Sequence, residues 1–116
     1  MLTVGTATVG TATFAVSTSK TLTGTAAKLT GRTVTGAGTT AVTALQDDTD
    51  SDLSNIASTS VTANYASGDN TMNSAKFGSA AITVAGGNMT LGTADKGTAA
   101  FSVSADSTLT GTAAKL

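Results

Sequence analysis

Large apolar residues recur along this chain at intervals of close to ten, and they fall into two interleaved rows. One row is Leu2, Leu22, Val42, Val61, Ile82 and Phe101; the other is Phe14, Val34, Leu53, Met72, Leu91 and Leu109. Within each row the steps are 18 to 21 residues. The local pattern around the anchors alternates with period two, as in Phe14-Ala15-Val16, Thr33-Val34-Thr35 and Ile82-Thr83-Val84, and no apolar period of 3.6 is sustained. Alternation over short runs points to half-buried strands. A strand recurring every ten residues predicts an all-β protein, most simply a β-solenoid of ~20-residue coils in which each row stacks into a ladder. An antiparallel β-sandwich or meander is the alternative, because it also spaces short strands at 8–12 residues.

Composition supports stacking over an isolated core. Thr, Ala, Gly and Ser make up 72 of the 116 residues, and there is no Pro, Cys, His or Trp. Large side chains are scarce, so each unit has little apolar area of its own to bury and gains most from leaning on its neighbours. Charged residues are 11% of the chain and the net charge is −1, which leaves no basic footprint for nucleic acid. No run approaches the 18 apolar residues of a membrane span. The first ten residues, MLTVGTATVG, lack the basic and apolar regions of a signal peptide, so an export signal is expected outside this sequence.

A longer repeat overlies the strand rhythm. Gly10 to Leu29 reads GTATFAVSTSKTLTGTAAKL, and Gly97 to Leu116 reads GTAAFSVSADSTLTGTAAKL, identical at 15 of 20 positions with an offset of 87 residues. The expectation is a single repetitive β module over residues 1–116, a fragment of a longer array. Eighty-seven residues is nine strand intervals, and an odd number places the two copies on opposite faces of a two-sided solenoid.

One stretch departs from the rhythm. Leu45 to Ile56 reads LQDDTDSDLSNI, carries four of the seven acidic residues, and is expected to form a corner with a short helical turn near Asp52. Asp48, Asp50 and Asp52 alternate in the manner of calcium-loop ligands, which makes them candidate metal ligands and calcium a candidate cofactor. An EF-hand loop begun at Asp48 would need Gly and Glu where Leu53 and Thr59 stand, so a solvated acidic corner is the plainer reading. Apart from calcium, no cofactor is expected.

Threonine pairs flank many anchors, as in Thr21-Leu22-Thr23 and Thr108-Leu109-Thr110, with both threonines directed outward. Such ladders could order surface water or face a carbohydrate. A Ser/His/Asp triad and a His or Cys zinc site are impossible in a chain without His or Cys. GRTVTGAG lacks the phosphate-loop lysine, and Tyr65 and Lys76 are isolated residues suited to packing and solvation. Asn88-Met89-Thr90 matches the short glycosylation pattern.

The stretch Ala41 to Ala63 has a distinctive form: Val42-Thr43-Ala44-Leu45, then Asp52-Leu53-Ser54 and Ile56, then Val61-Thr62-Ala63. With GTATFAVS and TLTGTAAKLTGRTVT, it resembles the Thr/Ala/Gly-rich β-strand repeats of large bacterial cell-surface proteins, S-layer-like and adhesin-like. The resemblance implies a secreted or surface location, a spacer, coat or stalk role without catalysis, and partners that are neighbouring repeats. End-to-end self-association is a further expectation, because open coil ends leave strand edges unpaired. The alternative function is an ice- or carbohydrate-binding solenoid.

Overall fold

A computed structural model describes residues 1–45, 51–65 and 67–116. It is all-β, with 45% of residues in strands and 4% in helix, and it winds through about five solenoid turns. Every pairing between its strands is parallel. Hairpin connections pair strands antiparallel, so this rules out the sandwich or meander.

One wall is a six-stranded sheet, in the order β1 (Leu2–Val4), β3 (Thr21–Thr25), β5 (Thr39–Leu45), β6 (Ser60–Tyr65), β8 (Ala81–Val84) and β10 (Ala100–Val103). A second is three-stranded, from β7 (Gly68–Met72), β9 (Gly87–Leu91) and β11 (Thr108–Thr110). A third begins with the two-residue strands β2 (Phe14–Ala15) and β4 (Val34–Thr35), and continues through isolated bridges Val34–Ile56, Asp52–Lys76 and Lys76–Asp95. The coil therefore has three sides where the sequence suggested two. Six strands at about 4.8 Å separate the outer strand axes by about 24 Å, within principal extents of 35 × 24 × 23 Å.

The rung register differs from the expected rows. All six first-row anchors lie in the six-stranded sheet, but Leu22 pairs with Thr40 and Val42 with Gly24 and Ala63. Two inward columns result: Leu2, Leu22, Thr40, Val61, and beside it Val4, Gly24, Val42, Ala63, Ile82, Phe101. A slip of two residues keeps every side chain on its own face, so alternation cannot reveal it. The second row divides between walls. Phe14 pairs with Val34 and Met72 with Leu91, whereas Leu109 pairs with Met89, and Leu53 lies in the turn after Asp52.

The core runs the length of the stack. Leu22, Leu29, Val34, Val42, Leu45, Leu53, Met72, Phe77, Ile82, Val84 and Met89 are all below 2% exposed. Phe77 meets Phe101 edge to face, with ring centroids 5.9 Å apart. Two corners depend on glycine. Gly36 has φ +109° and a Cβ there would lie 2.3 Å from the Val16 carbonyl oxygen; a Cβ on Gly87 would lie 2.1 Å from that of Gly68. Neither position can carry a side chain without moving the neighbouring coil's backbone.

A short helix, α1 (Ala26–Leu29), is an addition to the sequence reading. At its end the Thr30 N–H donates to the Ala26 carbonyl, and Ala26 and Leu29 are buried. The two copies of the long repeat occupy different walls. Phe14 is on the third wall but Phe101 is in the six-stranded sheet; Thr21–Thr25 is in that sheet, while Thr108–Thr110 joins the three-stranded one.

Candidate functional site

Of the three candidate calcium ligands, Asp48 and Asp50 lie outside the described residues. Asp52 is described, and its position is set by the coils on either side. Its N–H donates to Thr30 Oγ1 at 3.0 Å, its carbonyl accepts from the Gly31 N–H at 2.8 Å, and the Leu53 N–H reaches the Lys76 carbonyl at 2.7 Å. The turn that follows closes with the Ile56 N–H on the Leu53 carbonyl at 3.1 Å; it is a single tight turn between two bridges and not the helical turn expected near Asp52.

The Asp52 carboxylate is engaged within this turn. Oδ1 accepts from the Ser54 N–H at 3.0 Å and from Ser54 Oγ at 2.5 Å, and Oδ2 lies 3.9 Å from Lys76 Nζ. Partial burial by itself pushes this carboxyl up; the Ser54 hydrogen bonds, then the Lys76 ammonium, outweigh it and hold the group below its ordinary value. Two coils further on, Asp95 uses Oδ1 in the same way, accepting from the Gly97 N–H at 3.0 Å. Asp52, Lys76 and Asp95 thus form a column of alternating charge on the third wall, joined by backbone bridges. Lys76 is 55% exposed, so its pairing with Asp52 is worth at most about 1 kcal/mol. Among the described residues, no three His, Cys, Asp or Glu side chains converge as a metal site would require.

Tyr65 is buried at the corner between β6 and β7. Its hydroxyl accepts from Asn70 Nδ2 at 2.8 Å and lies 2.8 Å from the Gly68 carbonyl oxygen and 3.1 Å from that of Asn88. Its one O–H hydrogen is within reach of the backbone of two successive turns, which ties it into the packing role expected for it. Asn88 Nδ2 donates to Asp69 Oδ1 of the preceding coil at 2.9 Å.

The outward face of the six-stranded sheet has a feature that the separate Thr-x-Thr triplets only hint at. Its one complete column reads Thr3, Thr23, Ala41, Thr62, Ala81, Ala100, and flanking columns carry Thr21, Thr39, Ser60 and Asn64, Thr83, Ser102. No strand of this sheet contains a charged residue. Clefts are found at the ends of the stack. Met1, Leu2, Phe14 and Val16 line one, and Phe101, Val103, Leu109 and Leu116 line its counterpart at the other end. No helix among the described residues is long and apolar enough to cross a membrane. Comparison with protein-family models, curated proteins and solved structures finds no match for this chain.

Proposed function

We propose that this chain is a structural coil module, a spacer, coat or stalk segment of a secreted or cell-surface bacterial protein, with no catalytic role and its neighbouring repeats as partners. The observation that carries this reading is a single apolar core threading the coils beneath walls of small polar residues, with clefts at the two ends of the stack. Such a stack transmits length and stiffness, because each coil contacts only its neighbours and the backbone ladder is continuous. The surface location rests on the resemblance to Thr/Ala/Gly-rich surface repeats. To test the role, one, two and three copies are fused in tandem between two folded reporter domains, and the reporter separation is measured by small-angle scattering. A rigid module lengthens the particle by a constant increment per copy; a separation that does not grow with copy number overturns the reading.

A second reading, recognition of ice or a neutral carbohydrate, is favoured by one observation, the uncharged outward face of the six-stranded sheet. Thermal hysteresis, or retention on an insoluble glycan, that is abolished by Thr62→Lys would establish it; absence of both removes it.

A further inference from the structure

We propose that Asn88 is the attachment site of an N-linked glycan, carried on the flank of the stack. The proposal rests on the secreted location put forward above and goes beyond it by naming the modified atom, Asn88 Nδ2. Asn88-Met89-Thr90 matches the Asn-x-Ser/Thr acceptor pattern, and of the five Asn residues only Asn88 has Ser or Thr two positions on.

The fold presents this tripeptide on an open wall. It lies in β9, the middle strand of the three-stranded sheet, with Met89 fully buried. Side chains alternate along a strand, so Asn88 and Thr90 share the outward face, and Asn88 is exposed there. Across the rungs Asn88 has Asp69 and Thr108 for neighbours, and Thr90 has Thr71 and Thr110. All four are short polar side chains, so the wall around the amide is low. β9 is paired on both sides, which keeps the site off any open sheet edge.

The amide has a hydrogen to give. Asn88 Nδ2 donates to Asp69 Oδ1 at 2.9 Å, and that bond uses one of the two N–H hydrogens of a primary amide. Transfer joins Nδ2 to the anomeric carbon of a sugar, breaks the bond from that carbon to the diphosphate of an activated sugar donor, and releases one amide proton. The glycosyl amide keeps its other hydrogen, so the bond to Asp69 survives and steadies the linkage across the rung. A bulky, solubilising group is thereby added to the surface, while Met89 and Leu91 stay in the core and the six-stranded face stays clear.

Pairing also sets the order of events. The backbone of β9 is committed to two ladders, so a transferase that takes the tripeptide as a separate segment acts before these coils close.

The test uses the full chain behind a cleavable leader, secreted from mammalian cells, whose secretory pathway supplies the lipid-diphosphate oligosaccharide donor and the transferase. Wild type, Asn88→Gln and Thr90→Ala are compared. Enzymatic release of N-linked glycan in heavy-oxygen water converts a modified Asn into labelled aspartate, which peptide mass spectrometry locates. The wild type is expected to show the label at position 88 and nowhere else, and both variants to show none. The glycosylated wild type is expected to keep a strand-type circular dichroism spectrum and a cooperative urea transition. Secreted wild type with an unmodified Asn88 overturns the proposal. So does a label at position 88 that persists in Thr90→Ala, or a glycosylated chain that has lost its strand spectrum, since the glycan is then not one that the folded stack carries. The tandem-fusion measurement uses protein made in bacteria without this modification, so the two readings fail separately.

Discussion

Thr40 is the one fully buried polar residue in a column otherwise made of Leu2, Leu22 and Val61, and it invites a double-mutant cycle. Its Oγ1 lies 2.7 Å from Oγ of Ser58, which is itself only 7% exposed. The two hydroxyls are not equivalent. Ser58 Oγ also reaches the Ser60 carbonyl at 3.2 Å, so it keeps a partner when Thr40 becomes Val. Thr40 is 0% exposed, and Ser58→Ala leaves its hydroxyl buried without that partner. Stranding a buried polar group costs about 1–3 kcal/mol, whereas losing one hydrogen bond with both ends otherwise satisfied costs about 0.5–1.5. Thr40→Val also adds a methyl to an apolar column, which offsets part of its loss. The expected order is therefore Ser58→Ala more damaging than Thr40→Val, with the double variant close to Thr40→Val and a coupling of about 1 kcal/mol or more. Equilibrium urea unfolding followed by circular dichroism measures all four proteins. Strictly additive costs, or a harmless Ser58→Ala, would refute the assignment of this pair as a mutually dependent polar plug.

Two further outcomes follow from the same coordinates. Leu22 and Leu109 are the same residue of the long repeat on different walls, the first 1% exposed and the second only partly buried on the last strand of its sheet. Leu22→Ala should cost about 2–5 kcal/mol and Leu109→Ala less than about half of that, read as midpoint shifts in urea; equal costs would contradict the placement of the two copies. Asp52 has a carboxyl held below its ordinary value, so the folded state binds its proton less readily than the unfolded chain does. Its stabilising contribution is present above about pH 4, the unfolded value, and is lost as pH falls through the lower folded value. Asp52→Asn should flatten that acid limb in a series of thermal melts; superimposable limbs for the two proteins would show that the Ser54 and Lys76 contacts do not stabilise the charge.

Alternation made the inward and outward faces legible, and the recurrence of anchors made the coil length legible. The rungs were not, for a physical reason. Leu22 and Val42 look like neighbours because both are large and inward, but the ladder follows backbone pairing and places Thr40 on Leu22. The three-stranded wall was hidden by composition: Gly68-Asp69-Asn70-Thr71-Met72 consists mainly of residues that favour turns, and it forms a strand because Gly87 to Leu91 stacks on it in register. Tertiary pairing with β9 overrides β-propensity here even though β7 is an outer strand of its sheet. Asp52 could be singled out from its acidic neighbourhood, but its partners Ser54 and Lys76 could not, since the Lys76 pairing depends on the number of residues in the intervening coil.

The repeated twenty residues show what this sequence does and does not encode locally. Thr-Leu-Thr-Gly-Thr is strand β3 in the first copy, and the second copy's Thr-Leu-Thr is strand β11. The following Ala-Ala-Lys-Leu closes as helix α1 once, with Leu29 fully buried, and as a turn the second time, with Leu116 59% exposed. The local instruction, strand and then tight bend, is the same in both. The wall is not part of it: that is set by how many residues separate each copy from the coil below. In a solenoid all walls share one strand spacing and one inward parity, so a segment that can serve on one wall can serve on another. This interchangeability lets two copies of the twenty-residue segment, offset by 87 residues and so not by a whole number of coils, sit in one stack of ~20-residue turns without breaking the core. A two-residue change in one loop likewise re-pairs a rung while leaving every face intact.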